Sequence, residues 1–291
     1  MRPFIISTDT TADLPADFVS KYDIDIHPLF YRFGDDEIYG GANQPALEPS
    51  IFYRRMRDGE MPTTMASNPE DSNAYFTERV VEGYDVIHIA FSSALSSSCQ
   101  NAGIAAQEVM EAHPEARITV IDSLAASMGE GLVVYKAIMY KEAGHSYDEV
   151  VRYVESMKGS ISHQFTVNDL FHLHRGGRVS KTTAIIGTII NIKPILHVND
   201  LGQLISIGKA RGRKKSLIDL VDRMEASMGD HENETIMLSH GDCEEDALFV
   251  ANEVRERFPG VKNIIMNYIC PTIGAHSGPG TVALFFEADH R

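Results

Sequence analysis

The 291-residue chain has no tryptophan, only three cysteines and far fewer bases than acids. Each shortage excludes something. Cys99, Cys243 and Cys270 stand far apart, odd in number and without C-x-x-C spacing. That pattern supports neither a disulfide framework nor a zinc cluster, and it suits a reducing cytoplasm. Lys and Arg total 26 against 41 Asp and Glu, a formal charge of −15. A chain this acidic repels phosphate backbones and anionic surfaces, so neither nucleic acid nor stable membrane insertion is expected. No run of about 18 apolar residues is present to span a bilayer. The most apolar stretch, 184–198, is interrupted by Gly187, Asn191 and Lys193. The opening MRPFIISTDTTAD meets acid after a short apolar run and does not read as a signal peptide.

Catalytic signatures are missing as well. There is no P-loop and no G-x-S-x-G elbow. Gly129 and Gly131 lack the third glycine of a dinucleotide fingerprint. His172 and His174, two apart, face different sides of a helix and make a poor metal pair. No arrangement supplies a nucleophile, a base and an orienting group together. No catalytic residue, metal or cofactor is therefore expected.

What is present is a soluble α/β pattern, with 43% hydrophobic residues and enough apolar material for a sizeable core. Strand signals at 3–7, 24–33, 85–91 and 117–122 alternate with helix signals at 15–22, 49–59, 69–83, 94–112, 123–143 and 147–158. This rhythm predicts a parallel, doubly wound sheet. After about Ser160 the texture changes to short strands at 163–167, 193–198 and 203–209 beside short helices. A long helix at 214–228 follows, then strands at 236–239, 263–269 and 281–286 around a helix at 244–258. Two α/β domains are expected, 1–160 and 161–291, the second with a mixed sheet.

Candidate binding segments fall between these elements. FSSALSSSCQ places five serines between Ser92 and Ser98, at the carboxyl end of a parallel strand and the start of a helix, where ligands of open α/β sheets bind. One serine suffices to cap a helix; five suit either capping or an anion held by hydroxyls and helix N–H groups. MPTTMASNPED reads as a polar loop before a helix opened by Pro69, with Thr63, Thr64, Ser67 and Asn68 as cap candidates. In LHRGGRVSK, Arg178 offers a planar fork for carboxylate or phosphate, or a solvated helix end. TIGAHSGPGT surrounds His276 with glycines in what reads as a loop, so His276 is either a turn residue or a ligand contact. KARGRKK, Lys209–Lys215, concentrates five bases in seven residues, a docking patch for phosphate or an acidic partner, or a solvated face.

In order along the chain, DTTADLP, PTTMASNPED, SSALSSS, DSLAASMGEG, HRGGRVS, GTIINIKPIL, KARGRKK and GAHSGPG resemble the DegV family of bacterial fatty-acid-binding proteins end to end. These are EDD-fold proteins that include the carrier subunits of fatty acid kinase. The resemblance implies one fatty acid between two α/β domains, its tail in an apolar tunnel of the second domain and its carboxylate in a polar network. Matching motifs place that network on Thr64, Ser96, Arg178 and His276, and put the contact with a separate kinase on Arg211. It implies a carrier without chemistry of its own, presenting the carboxylate for phosphorylation by the kinase and supplying acyl phosphate to phospholipid synthesis. The alternative is a phosphotransfer or esterase-type enzyme using Ser96 and His276. Two segments depart from the family pattern. Met65–Asn68 replace the usual S-Q-P-S after the threonine, and Ser97-Ser98 replace the usual G-T after Leu95-Ser96.

Overall fold

A computed structural model describes residues 2–40, 44–180, 191–289 and 291. Residues 187–190 of the GTIINIKPIL motif lie outside them. The first sheet is wholly parallel, in the order β2-β1-β5-β6, from β1 (Phe4–Asp9), β2 (Asp25–His27), β5 (Asp85–Ala90) and β6 (Ile118–Asp122). Helices α3 (Pro69–Val81) and α4 (Ser98–Ala112) cover one face through Phe76, Val80, Ala102 and Ala105. The other face packs on α5 (Met128–Glu142) and α6 (Tyr147–Met157).

The second sheet has six strands in the order β11-β10-β12-β7-β8-β9. They are β7 (Ile161–Thr166), β8 (Ile192–Val198), β9 (Leu204–Arg211), β10 (Thr235–His240), β11 (Asn263–Tyr268) and β12 (Val282–Glu287). Only the β10–β11 pair is parallel, so the sheet is mixed. Helices α8 (Arg213–Ser227) and α9 (Glu244–Arg257) pack on it through Leu217, Leu220, Val250 and Val254.

Between the sheets runs α5, buried on nearly every side along its first three turns, as an apolar helix must be when both flanks are sheets. Gly129 permits this. A Cβ there would stand 2.0 Å from His163 Nε2 on β7, so the close approach excludes any larger residue.

Several boundaries differ from the sequence reading. The run 24–33 is two strands rather than one: Pro28 ends β2, and β3 (Phe30–Phe33) pairs with β4 (Pro62–Met65) in a separate hairpin-like sheet. The segment read as a loop around Thr64 is therefore a strand, held by the Tyr31–Thr64 pairing. The helix expected from Ala94 begins at Ser98, because Ser92–Ser97 form the turn that leaves β5. The helix expected from Ser123 begins at Met128, after Leu124 and Ser127 take left-handed backbone angles of φ 52° and 55°. His276 lies in a short helix, α10 (Pro271–Ser277), not in a loop: Pro271 supplies a first turn and the glycines end it. The first strand extends two residues past Ser7, to Asp9. No helix among the described residues is long and apolar enough to cross a membrane.

Candidate functional site

The carboxyl ends of β1 and β5 face the second sheet across a cavity of about 240 Å³. Its walls are mostly apolar: Leu29, Phe91, Leu95, Phe165, Leu173, Val198, Leu204, Ile269, Ile273, Ala283 and Phe285. Loops that follow strands of the first sheet, through Thr11, Leu29, Phe91 and Leu95, meet strand residues of the second sheet, among them Phe165, Val198, Leu204 and Phe285, around it.

The polar end gathers residues far apart in sequence. Thr64, on β4, places Oγ1 2.8 Å from His276 Nε2, on α10. Ser96 and Ser97 line the same cavity from the turn after β5. Ser96 Oγ lies 2.8 Å from Ser98 Oγ and accepts the Ser98 N–H at 3.2 Å, at the first turn of the 15-residue α4. The aligned peptide dipoles of α4 therefore point their positive end at the serine pair. The turn itself is pinned from outside: Ser92 N–H donates to the Ala125 carbonyl at 3.0 Å and Ser92 Oγ to the Gly202 carbonyl at 2.9 Å.

Arg178 reaches the cavity after α7 (Phe171–Arg175). Its Nη2 and Nε donate to the Leu95 carbonyl at 3.0 and 3.3 Å, and Nη1 donates to the Gly176 carbonyl. Arg178 thus clamps the serine turn while keeping a cation at the polar end. Burial lowers its pKa from the usual value, yet a guanidinium stays charged near neutrality.

His276 is in a different state. Burial first, then the Arg178 and Arg175 charges, push its pKa down to about 3, so the ring is neutral near pH 7. Its Nδ1 is buried against Gly176, where a Cβ would come within 2.0 Å. The first glycine of the G-G-R motif is therefore a space requirement of His276.

Thr64, Ser96, Arg178 and His276 all border one cavity, whereas Arg211 does not. It is exposed at the last position of β9. At about 3.3 Å per residue, it lies roughly 20 Å along the strand from the cavity-lining Leu204. The basic segment divides here. Arg213 turns inward, donating to Asp246 at 2.7 Å and to the Gly280 carbonyl at 2.7 Å, and ties α8 to α9.

Sequence reasoning passed over two contributors, Arg175 and Ser127. Arg175, three residues before Arg178, donates to the Pro62 carbonyl at 3.3 Å and the Ala275 carbonyl at 3.0 Å, which holds β4 and α10, hence Thr64 and His276, side by side. Ser127 lines the cavity from within DSLAASMGEG and donates to Asp13, a partner set by the fold. Asp13 in turn accepts the Cys270 N–H at 2.9 Å, and burial raises its pKa to about 7. This joins the first sheet's loops to α10.

In hydrogen bonds, Ser96 is paired with Ser98 and His276 with Thr64. They do not form the nucleophile–base pair that the esterase alternative requires. What the arrangement can do is hold a molecule with an apolar body and an anionic or polar head. Two α/β layers around such a cavity are an architecture suited to enclosing a small molecule.

The chain belongs to the DegV family, whose description, "Uncharacterised protein, DegV family", matches residues 3–289. A DegV domain-containing protein of Clostridium perfringens is 42% identical over 291 residues, covering 100% of this chain and 99% of that protein. A DegV family protein from Thermus thermophilus, described for fatty acid binding, is 30% identical with a TM-score of 0.86, covering 99% of this chain and all of that one. The fold is shared also by the fatty acid kinase B3 protein of Streptococcus pneumoniae, loaded with linoleic acid, at 22% identity and a TM-score of 0.85, over 99% of this chain and 100% of that one. The Thermus thermophilus protein is described as binding fatty acid, and the Streptococcus pneumoniae protein holds linoleic acid.

Proposed function

We propose that this protein is a carrier for one long-chain fatty acid and presents its carboxylate to a separate kinase. The observation that carries the reading is the apolar cavity ending on Thr64, Ser96, Arg178 and His276. A carboxylate stripped of water is costly unless several donors meet it. The hydroxyls of Thr64 and Ser96, the N-terminus of α4, the His276 ring and the Arg178 charge are donors of the right kinds. A carboxylate beside the neutral His276 favours its protonated form, so the ring tightens its hold as the ligand arrives.

The tail supplies most of the affinity. About 0.8 kcal/mol per buried methylene gives roughly 11 kcal/mol for some fourteen methylenes. Association costs of several kcal/mol offset part of this, leaving a micromolar-to-nanomolar dissociation constant, about −8 to −12 kcal/mol. No chemistry is assigned to the chain itself: the kinase transfers phosphate from ATP to the carboxylate, and acyl phosphate leaves for phospholipid synthesis.

The division of labour within 161–291 follows the same reading, with the apolar wall on the second sheet and the kinase contact at Arg211. Arg211→Ala tests it: fatty acid content should be unchanged while acyl-phosphate formation by added fatty acid kinase and ATP falls at least tenfold. Loss of bound fatty acid would move Arg211 into the binding machinery, and unchanged turnover would remove it from the kinase contact.

A further inference from the structure

A second polar cluster lies on the other side of β1, away from the cavity. Asp9 and Ser7 point to one face of β1, as residues two apart in a strand must. Parallel register sets His27 of β2 opposite Asp9 and His88 of β5 opposite Ser7. Two imidazoles therefore flank the Asp9 carboxylate on the face that α3 covers. Tyr75 stacks on His27 at 5.3 Å between ring centroids, and Phe76 meets His88 edge-on at 5.6 Å. None of the three cluster residues is more than 1% exposed.

Their polar atoms are not satisfied in the usual way. Asp9 Oδ1 stands 3.9 Å from His27 Nδ1 and 3.6 Å from His88 Nε2, too far for hydrogen bonds. All three atoms, and His27 Nε2, have no hydrogen-bond partner among the described residues. The remaining atoms are committed elsewhere: Asp9 Oδ2 accepts the Phe91 N–H at 2.8 Å, and His88 Nδ1 is 2.9 Å from Ser7 Oγ. Buried polar atoms left this way are expensive, and native proteins rarely tolerate several together. At these distances neither imidazole forms a hydrogen-bonded ion pair with Asp9.

A cation does resolve it. Two imidazole nitrogens and one carboxylate oxygen converge within 4.8 Å of one another. In a tetrahedral zinc site, metal–ligand bonds of about 2.0–2.1 Å place ligand atoms roughly 3.4 Å apart. The Asp9 contacts, at 3.6 and 3.9 Å, close by about half an ångström or less, and the two imidazole nitrogens, within 4.8 Å of each other, by at most about 1.4 Å. The Ser7 hydroxyl on His88 Nδ1 orients that ring with Nε2 towards the site, the outer-shell support usual for a ligating histidine. We propose that Asp9, His27 and His88 form a buried site for one zinc-class divalent cation, with water in the fourth position. The cation ties three strands together and, through Asp9 Oδ2 and the Phe91 N–H, steadies the turn that carries Ser96.

The test uses the full chain, stripped with a chelator and reloaded with Zn²⁺ alone. One zinc per chain by elemental analysis, together with a raised Tm, is expected for the wild type. His27→Phe and His88→Val should each bind zinc at least tenfold more weakly. Should those variants fail to fold, the wild type loaded with Co²⁺ decides: the intense visible bands of a tetrahedral nitrogen–oxygen site are expected. Wild-type protein that takes up no zinc, variants that bind it as tightly as wild type, or only the weak bands of six-coordinate Co²⁺ would each overturn the site.

Discussion

The two histidine-bearing clusters flank the same strand end and differ in what they face. His276, with Thr64, borders a cavity of about 240 Å³ and meets a ring of apolar side chains. His27 and His88 meet aromatic rings of α3 and the Asp9 carboxylate, and none of the three is more than 1% exposed. An open cluster can wait for a large ligand; a buried one must be satisfied by something as small as an ion and the water it carries. Asp9 joins them, since its second oxygen holds the Phe91 N–H at the start of the serine turn.

The largest effect that separates the clusters should come from Thr64→Val combined with Ser96→Ala. Hydrogen bonds to a charged group contribute about 1.5–3 kcal/mol each, so fatty acid affinity should fall by about 10²-fold or more. Zinc stoichiometry should stay the same. Titration of fatty acid into the purified variant measures the first and elemental analysis the second; joint loss would mean that the two clusters are one structural unit.

Gly176→Ala comes next. The new methyl overlaps the position of His276 Nδ1, so the ring must leave Thr64. Affinity should drop about tenfold while the melting transition stays cooperative. An unchanged dissociation constant would show that the His276–Thr64 contact has no part in holding the carboxylate.

The smallest effect concerns acid. His276 has a folded pKa of about 3 against an ordinary value of 6.5. Its contribution to stability is therefore fully present above pH 6.5 and lost as pH falls towards 3. His276→Gln removes that dependence, so the Tm difference between wild type and variant should shift against wild type from pH 7.5 to pH 5. Asp13, raised to about 7, works in the opposite sense: its contribution is present below about pH 4 and lost as pH rises through 7. A pH-independent difference at His276 would mean that its ring is not held neutral.

The open cluster was legible in the sequence because local chemistry marked it. Serines beyond the need of one helix cap, a histidine among glycines and an arginine after two glycines are each visible within ten residues. Thr64 was legible as a polar residue but not as a strand residue, because its pairing partner, Tyr31, lies across a turn and a helix. The sealed cluster left no such mark. Asp9 fell in DTTADLP just past the first strand signal, His88 lay inside an apolar strand and His27 preceded a proline. Only the order β2-β1-β5 brings them together, and non-local register is what short motifs do not encode. The glycines show the same: Gly129 read as part of an incomplete fingerprint and Gly176 only as a residue before Arg178, yet each is a gap left for a histidine on another element.

The central claim is that the cavity between the sheets holds a fatty acid by its carboxylate. Extraction of the purified wild-type protein with organic solvent, followed by mass spectrometry, tests it most directly. About one long-chain fatty acid per chain is predicted, or stoichiometric uptake of added fatty acid by delipidated protein. Protein that carries no acyl chain and takes up none would contradict the account.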